Sequence, residues 1–322
     1  MWRRFVPALL LLALIALTAC GGAAPTSPQP TTPATPPAPA ATTQHTSYPL
    51  TVTDAAGRKV TLAEAPHRIL SLAPSNTEIV WALGAGSLQV GRTDYCDYPP
   101  EAKSVQSIGG MVNPNVEQIA ALKPDLVLMI GGSDKLRDKL ASDLRLTVYV
   151  ADPQNFDQVY DSIRQLGLLL DAQAAADKVV ATMQARMKAV TDKTAALPES
   201  QKPTVFYEVW DDPLMTAGPG TFIDDMIRLA GGSNIGAQAK DRWPKFSLET
   251  LAASDPAMLI SPNPKSVQAL LAKQRKGWEN LKAVKDGKVM QVPDPNLVSR
   301  PGPRLVDGLD WFARTLHPEL FH

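Results

Sequence analysis

The sequence predicts an α/β protein with two Rossmann-like lobes, each built on a parallel sheet, that are joined by one long α-helix. Residues 171–197 contain neither Gly nor Pro and are rich in Ala, Lys, Gln, Arg and Met, which favour a helix. Segments of strand and helix pattern alternate on both sides of it, as in parallel sheets covered by helices. Ligands of such sheets bind beyond the carboxyl ends of the strands, so a ligand cleft between the lobes is expected.

The long helix has one apolar stripe, whose members recur at helical spacing. They are Val179, Met183, Met187, Val190 and Leu197. We expect Asp171 to cap the start of the helix and Pro198 to end it. At 1.5 Å per residue the helix is roughly 40 Å long, about the width of a small domain. The alternative is an ordinary surface helix of one large domain.

The first nineteen residues have the features of a secretory signal peptide. Arg3 and Arg4 precede an apolar run at 9–17, and small residues lead to Cys20. The ending Leu-Thr-Ala-Cys looks like a bacterial lipobox, which implies cleavage before Cys20 and acylation of its thiol. The predicted location is extracytoplasmic, anchored by lipid to the cell membrane at its periplasmic face or at the cell surface. A plain signal peptide with a chance Cys is the alternative.

The segment after the signal peptide is rich in Pro, Thr and Ala and has no charged residue. Such a composition predicts a solvated, extended tether. The predicted organisation is therefore the signal peptide 1–19, the acylated Cys and tether 20–47, the N-terminal lobe 48–170, the bridging helix 171–197 and the C-terminal lobe 198–322. Cys96 is the only Cys within the lobes, so no disulfide within the chain is expected.

Each predicted element follows from periodicity and from Gly or Pro boundaries. In the N-terminal lobe we expect strands at 49–54, 67–72, 90–91, 125–130 and 146–150, and helices at 75–83, 113–123 and 156–170. In the C-terminal lobe we expect strands at 204–210, 257–261 and 289–292, and helices at 221–230, 247–253 and 304–316.

Several common functions find no support in the sequence. The formal net charge is zero, which argues against nucleic-acid binding. There is no phosphate-binding P-loop, no Gly-x-Gly-x-x-Gly after a strand and no Gly-x-Ser-x-Gly elbow. The four histidines are spread along the chain, which argues against a His-based zinc or manganese site. No cofactor is expected. They are His45, His67, His317 and His322.

Aromatic residues on loops after strands are candidates for stacking on a flat or apolar ligand. The loop 94–100 and the segment 210–218 both follow strands, and a further aromatic residue lies in the loop before a helix. The residues concerned are Tyr95, Tyr98, Trp210 and Trp243. For each residue alone, packing within its own loop is an equal explanation.

Five segments together resemble the helical-backbone (class III) substrate-binding proteins of ABC importers, whose members bind cobalamin, ferric siderophores or haem. The segments are Ser71–Glu78, Asp94–Pro100, Ala121–Val127, Trp210–Gly218 and Ala230–Ile235. The resemblance covers about residues 49–316. It implies two α/β lobes bridged by one long helix, a monomer, and delivery of the ligand to permease and ATPase subunits.

The loop Tyr-x-Asp-Tyr-Pro-Pro is most similar to the cobalamin-binding branch, so the resemblance implies a corrinoid or another metal chelate as ligand. The implied ligand-binding residues are Tyr95, Tyr98, Met111, Trp210, Met215, Trp243, Asp294 and Arg300. The sequence departs from the branch in two places. Residues 294–298 lack an aromatic pair, and Met111 stands where some cobalamin-binding members carry Trp.

Two glutamates near helix starts complete the predicted site. Glu78 is expected to form a capping box with Ser75, and Glu249 follows the expected cap Ser247. Acidic residues at these positions stabilise a helix through its dipole, which is one explanation. The resemblance implies a second: one glutamate from each lobe docks on the permease.

The leading hypothesis is a lipid-anchored receptor that binds a corrinoid and performs no catalysis. A ferric siderophore would instead need cations in the cleft, and haem would need an axial His or Tyr such as Tyr95 or Tyr98. The candidate cations are Arg92, Lys245, Arg300 and Arg304. A secreted enzyme is the third hypothesis, with acid–base candidates Asp97, Asp211 and Asp212.

Overall fold

A computed structural model describes residues 45–321 of the chain. The predicted signal peptide, Cys20 and most of the predicted tether lie outside these residues. Among residues 45–321, no helix has both the length and the apolar character needed to cross a membrane. The end of the predicted tether contacts the lobes, since Thr46 donates from Oγ1 to the carbonyl of Leu168 over 2.8 Å. The folded part therefore begins slightly before the predicted boundary at residue 47.

The N-terminal lobe begins with a hairpin that stands apart from the main sheet. Strands β1 (Leu50–Thr53) and β2 (Lys59–Leu62) pair antiparallel as a two-stranded sheet. The predicted strand at 49–54 and the turn at Gly57 form this hairpin, in which the turn returns the chain directly onto β1. The main sheet is fully parallel, in the order β4-β3-β5-β6. Its strands are β3 (Ile69–Ser71), β4 (Gln89–Arg92), β5 (Leu126–Met129) and β6 (Val148–Val150).

Four helices cover this sheet. They are α1 (Pro74–Ala82), α2 (Val116–Leu122), α3 (Asp134–Asp138) and α4 (Phe156–Leu169). Helix α3 was not predicted from the sequence, and it continues into a π-helical turn, Lys139–Asp143. Short 3₁₀ turns form at Gly86–Leu88 and Pro100–Ser104.

The bridging helix α5 runs from Gln173 to Thr194. Asp171 does not cap it, as φ is +54° there and its carboxylate accepts a hydrogen bond from the backbone N–H of Thr46. The helix also ends before Leu197 and Pro198. Its buried stripe is offset from the predicted one. The stripe consists of Ala176, Val180, Met183, Val190 and Thr194, whereas Val179 and Met187 are half-buried.

The C-terminal lobe has a mixed sheet, although a parallel one was expected. The order is β11-β10-β7-β8, with the two-residue β9 also beside β7, and β8 runs antiparallel to β7. A tight turn after β7 produces this hairpin. The strands are β7 (Thr204–Asp211), β8 (Leu214–Thr216), β9 (Ser233–Asn234), β10 (Met258–Ser261) and β11 (Val289–Gln291).

Six helices belong to the C-terminal lobe, and three of them had been predicted. They are α6 (Phe222–Leu229), α7 (Leu248–Ser254), α8 (Pro264–Leu271), α9 (Lys282–Lys285), α10 (Asn296–Ser299) and α11 (Leu305–Leu316). Short 3₁₀ turns form at Glu199–Gln201 and Pro318–Leu320.

One continuous apolar core joins the two lobes. It includes Leu128 of the N-terminal sheet, Ile163 of α4, Met183 of α5, Tyr207 of the C-terminal sheet and Phe312 of α11. The other face of each sheet packs against a separate, smaller core. Moving one lobe far from the other would expose part of the shared core, at about 25 cal/mol for each Å² of apolar surface.

Candidate functional site

A cavity of about 240 Å³ lies between the lobes, at the carboxyl ends of their strands. The N-terminal lobe contributes its lining from the start of α1 and from the loops after β4 and β5, and the C-terminal lobe contributes residues in and after α10. The lining residues are Pro74, Ser75, Tyr95, Met111, Ile130, Asn296, Ser299, Arg300 and Pro301. Three predicted ligand-binding residues therefore meet at one cavity: Tyr95, Met111 and Arg300.

Hydrogen bonds between two loops bring Tyr95 and Met111 together. The N–H of Asp94 donates to the carbonyl of Gly109 over 2.9 Å, and Ser107 Oγ donates to Asp94 Oδ1 over 2.5 Å. Gly109 has φ of +94°, a conformation that favours glycine. Tyr95 is 58 % exposed, so its ring is open to a ligand.

Five charged side chains connect the lobes beneath this cavity, and we call them the inter-lobe ionic cluster: Glu78, Asp97, Asp294, Arg300 and Arg304. Arg300 Nη1 donates to Asp97 Oδ1 over 2.7 Å and to Glu78 Oε1 over 3.2 Å. Arg304 holds both oxygens of Glu78, from Nε over 2.9 Å and from Nη2 over 2.7 Å. Its Nη1 donates to Asp294 Oδ2 over 3.0 Å.

The two arginines of the cluster are neutralised by its three carboxylates. Burial disfavours the charge on Arg304, but hydrogen bonds and charge from Glu78 and Asp294 outweigh it and raise the pKa of Arg304. Burial likewise acts to raise the pKa of Asp97, and its hydrogen bond to Arg300 outweighs this and lowers that pKa. Arg300, the member of the cluster that lines the cavity, is therefore already paired with carboxylates.

Tyr98 lies at a second cavity of about 310 Å³ rather than beside Tyr95. Its ring packs against the Arg304 guanidinium, whose central carbon lies 3.9 Å from the ring centre. Trp81 also lines this cavity. Tyr98 thus supports the inter-lobe ionic cluster, a role that the sequence did not indicate.

The remaining predicted ligand-binding residues form a group on the C-terminal lobe. Trp210 and Met215 pair across the β7–β8 hairpin, and Met215 also forms a bridge with Lys245, two residues after Trp243. Trp210 and Trp243 are both exposed. The loop of Trp243 approaches the N-terminal lobe, since Arg242 Nη1 donates to Gln154 Oε1. None of these residues lines the cavity at Tyr95.

The prediction that Glu78 caps a helix and presents a free charge is wrong. Helix α1 begins at Pro74, where the fixed φ of proline suits a first helical position, and its N-cap Ala73 makes no side-chain cap. Glu78 is the fifth residue of α1 and is only 3 % exposed, beneath Arg300 and Arg304. It is therefore unavailable to a docking partner.

Glu117, which was not a predicted site residue, has a local environment that matches that of Glu249. It lies in the first turn of α2, and Glu249 lies in the first turn of α7; both are exposed. Each helix has seven residues and a side-chain cap, from Asn115 and Ser247, with hydrogen bonds of 3.0 Å. Each precedes a central strand. The repeated pattern cap-x-Glu could have identified Glu117 from the sequence.

The other candidates do not line the cavity at Tyr95, which we call the inter-lobe cavity. Arg92 donates to three backbone carbonyls, those of Thr93, Lys103 and Val105. Its guanidinium is therefore hydrogen-bonded to its own loop and does not line the cavity. His317 is buried against the carbonyl of Gly231. Within residues 45–321 there is no cluster of three or more side chains suited to hold a metal ion. Lys245, Asp211 and Asp212 are exposed and do not line the cavity.

Comparison with known proteins agrees with this architecture. The sequence model of the periplasmic binding protein family matches residues 69–295. The chain belongs to the periplasmic binding protein family. It is 36 % identical over 281 residues to the uncharacterized ABC transporter substrate-binding lipoprotein YvrC of Bacillus subtilis, covering 85 % of this chain and 87 % of that protein. It is 31 % identical over 285 residues to a cobalamin-binding protein of Halobacterium salinarum, covering 84 % and 75 %.

Solved structures of periplasmic binding proteins are also similar. The vitamin B12 binding protein BtuF of Vibrio cholerae aligns with a TM-score of 0.67 and 26 % identity, covering 80 % of this chain and 99 % of that one. A periplasmic heme binding protein from Pseudomonas aeruginosa aligns with a TM-score of 0.70 and 26 % identity, covering 79 % and 94 %. This protein is thus an extracytoplasmic substrate-binding protein of an ABC transporter, which works with a permease and an ATPase. Its relatives are transport receptors, not enzymes.

Proposed function

We propose that this periplasmic binding protein captures cobalamin or a related corrinoid and delivers it to its permease. The single observation that carries the proposal is the neutralised inter-lobe ionic cluster. Ferric siderophores of the anionic type and the propionates of haem need unpaired cations. Arg300, the only cation that lines the inter-lobe cavity of the described chain, is already paired with Glu78 and Asp97. A corrinoid, whose rim is made of neutral amides, needs no such cation.

The polar and apolar groups at the cavity suit that kind of ligand. Tyr95 offers an exposed ring and Met111 a polarisable thioether, and both pack well against flat conjugated surfaces. Ser299 and Asn296 offer hydrogen-bonding groups from the opposite lobe. The cavity takes only one edge of a corrinoid, so the rest would lie against exposed rings such as that of Trp243.

Docking on the permease is proposed to involve one glutamate from each lobe, Glu117 and Glu249. Both are exposed on short capped helices, which fix the backbone from which each side chain projects. The backbone at its own helix start and Ser247 lower the pKa of Glu249, so this group stays ionised at neutral pH. One negative charge from each lobe suits cationic pockets on a membrane subunit.

The test is calorimetric titration of the full-length protein in detergent with cyanocobalamin, haemin and a ferric siderophore in parallel. We expect saturable binding of cyanocobalamin, weakened by Tyr95→Ala and by Met111→Ala. Tyr48→Phe, which removes a hydroxyl hydrogen-bonded far from the cavity to the Leu169 carbonyl, is the matched control and should bind normally. Binding of haemin or siderophore without cyanocobalamin would refute the corrinoid proposal and leave the transport role unchanged.

A further inference from the structure

Side-chain hydrogen bonds join the two lobes at opposite edges of the N-terminal sheet. The sheet order β4-β3-β5-β6 places the loop after β4 at one edge and the loop after β6 at the other. The inter-lobe ionic cluster lies at the β4 edge, where Arg300 donates to Asp97. At the β6 edge, Arg242 Nη1 of the C-terminal lobe donates to Gln154 Oε1 of the N-terminal lobe. The transport role described above does not use this second contact.

The acceptor of this contact, Gln154, is held in place by its own lobe. Its backbone N–H donates to Gln158 Oε1 over 2.8 Å, and its side-chain Nε2 donates to the carbonyl of Asp152 over 3.0 Å. A carbonyl only accepts and a guanidinium only donates, so both neighbours require the same orientation of the Gln154 amide. The N-terminal lobe therefore presents Oε1 to Arg242.

The loop that carries Arg242 is held by the edge of the C-terminal sheet. Strand β8 lies at this edge, and the N–H groups of Thr216 and Gly218 donate to the carbonyls of Pro244 and Arg242 over 3.1 and 2.8 Å. The approach is so close that a Cβ on Gly218 would lie 2.2 Å from a carbonyl oxygen of the loop. The loop is therefore fixed to β8, and Trp243 lies between its two hydrogen-bonded residues.

The two connections between the lobes differ in how easily they break. Arg300 is 11 % exposed at its side chain and pairs with carboxylates, whereas Arg242 is exposed and its partner is a neutral amide. Water competes for an exposed hydrogen bond, but breaking a buried ion pair leaves charges without partners. Near the β6 edge, Phe156 also packs edge-on against Phe222 at the shared core, with ring centres 6.1 Å apart. Loss of the Arg242 contact therefore leaves the lobes packed.

We propose that the contact between Arg242 and Gln154 is a latch on the ligand cleft, and that Arg242 is a positioning residue, which holds the Trp243 loop against the N-terminal lobe. The exposed rings of Trp210 and Trp243 lie on the two segments that flank β8. When the latch opens, β8 and the loop move away from the N-terminal lobe, and a ligand reaches these rings. The latch rests on the transport role and not on the identity of the ligand.

The first measurement of the latch needs no ligand. Spin labels on unnatural amino acids at the exposed positions Asp157 and Gln238, one in each lobe, report the distance across the latch in the full-length protein in detergent. We expect one narrow distance distribution in the parent protein and an additional, longer distance in Arg242→Gln. Lys240→Gln is the matched control, because it removes another exposed cation of the same loop, and it should leave the distribution unchanged.

The second measurement is stopped-flow absorbance with cyanocobalamin. We expect Arg242→Gln to raise both the association and the dissociation rate constant about five-fold, the effect of one lost hydrogen bond, with little change in Kd. Gln154→Glu should lower both rate constants, because a charge-assisted hydrogen bond closes the latch more firmly. Gln274→Glu, an equal charge change at another exposed position, should leave both rate constants unchanged. A merely structural role would change Kd and would not shift both rate constants in the same direction.

Two outcomes would overturn the latch. In the first, the parent protein and Arg242→Gln have the same distance distribution, so the contact does not hold the loop. In the second, cyanocobalamin binds but Arg242→Gln and Gln154→Glu exchange it at the parent rates, so the contact does not limit access to the cleft. If the parent protein binds no cyanocobalamin, the corrinoid proposal fails, and the distance measurement alone decides for or against the latch.

Discussion

Glu78 and Glu249 look alike in the sequence, because each follows a Ser shortly before an apolar helical run. In the structure they have opposite environments. Glu249 is exposed in the first turn of α7, with Ser247 as the cap. Glu78 is buried in α1 and held by Arg300 and Arg304 of the other lobe. A local pattern predicts that an acidic residue lies near a helix start, but the partners that bury it come from elsewhere.

The two glutamates therefore differ in role: one forms ion pairs between the lobes, and the other is an exposed surface charge. Glu78 connects the lobes, since more than 200 residues separate it from its arginines. Within residues 45–321, Glu249 forms no ion pair with the other lobe, and its exposed carboxylate can meet another protein. The predictions below test this division, first where the largest effect is expected.

Glu78→Gln should be strongly destabilising. The change keeps the side-chain shape but leaves Arg300 and Arg304 largely buried with one carboxylate fewer. Removing one partner of a buried ion pair costs about 3–5 kcal/mol of unfolding free energy. Urea unfolding followed by circular dichroism measures this loss.

Glu249→Gln is the matched control for that measurement. It removes an exposed charge that interacts only with the helix start, so its cost should be far smaller than that of Glu78→Gln. Equal losses in the two variants would contradict the division between a connecting and a free glutamate.

The parts of the fold that the sequence predicts are those set by local periodicity. The strands β5 and β10 and the helices α4, α5 and α11 fall within a few residues of their expected positions. Apolar runs and Gly or Pro boundaries decide these elements, so one stretch of chain contains the whole signal.

The parts that the sequence did not predict depend on distant partners. Asp171 is a residue type that often caps helices, but its carboxylate accepts a hydrogen bond from the backbone N–H of Thr46. The predicted ligand-binding residues Tyr95 and Tyr98 are three positions apart and line different cavities, because Arg304 packs on Tyr98. The antiparallel β8 was missed because a three-residue strand carries too little periodicity.

Charge reversal at the exposed glutamates should affect docking and not folding. Glu117→Arg and Glu249→Arg place a cation where we propose that the permease presents its own cations. Like charges at an interface cost several kcal/mol, so affinity for the permease complex in lipid nanodiscs should fall about ten-fold or more. Ligand affinity of the two variants should equal that of the parent protein.

The control for docking is Glu64→Arg, an equal charge change at another exposed position. This variant should bind the permease complex like the parent protein. If all three variants lose affinity to the same extent, net charge and not position determines docking.

The smallest effect is expected at the exposed edge of the inter-lobe ionic cluster. Asp97 is 44 % exposed at its side chain, so solvent screens its pair with Arg300 and limits the contribution to below about 1 kcal/mol. Because its pKa is lowered in the folded protein, the contribution is present above the unfolded value, about 3.9, and is lost as pH falls through the folded pKa.

Asp97→Asn should therefore lower the unfolding free energy slightly at pH 7 and at pH 5. Below about pH 4 the difference from the parent protein should shrink, since the parent carboxyl is then increasingly protonated too. Urea unfolding of both proteins at each pH measures this difference in unfolding free energy. A difference that grew toward low pH would mean that Asp97 has a raised pKa and is not stabilised by Arg300. The ion pair at the edge of the cluster would then be absent in solution, and Glu78 would be the carboxylate of the N-terminal lobe that still pairs with both arginines.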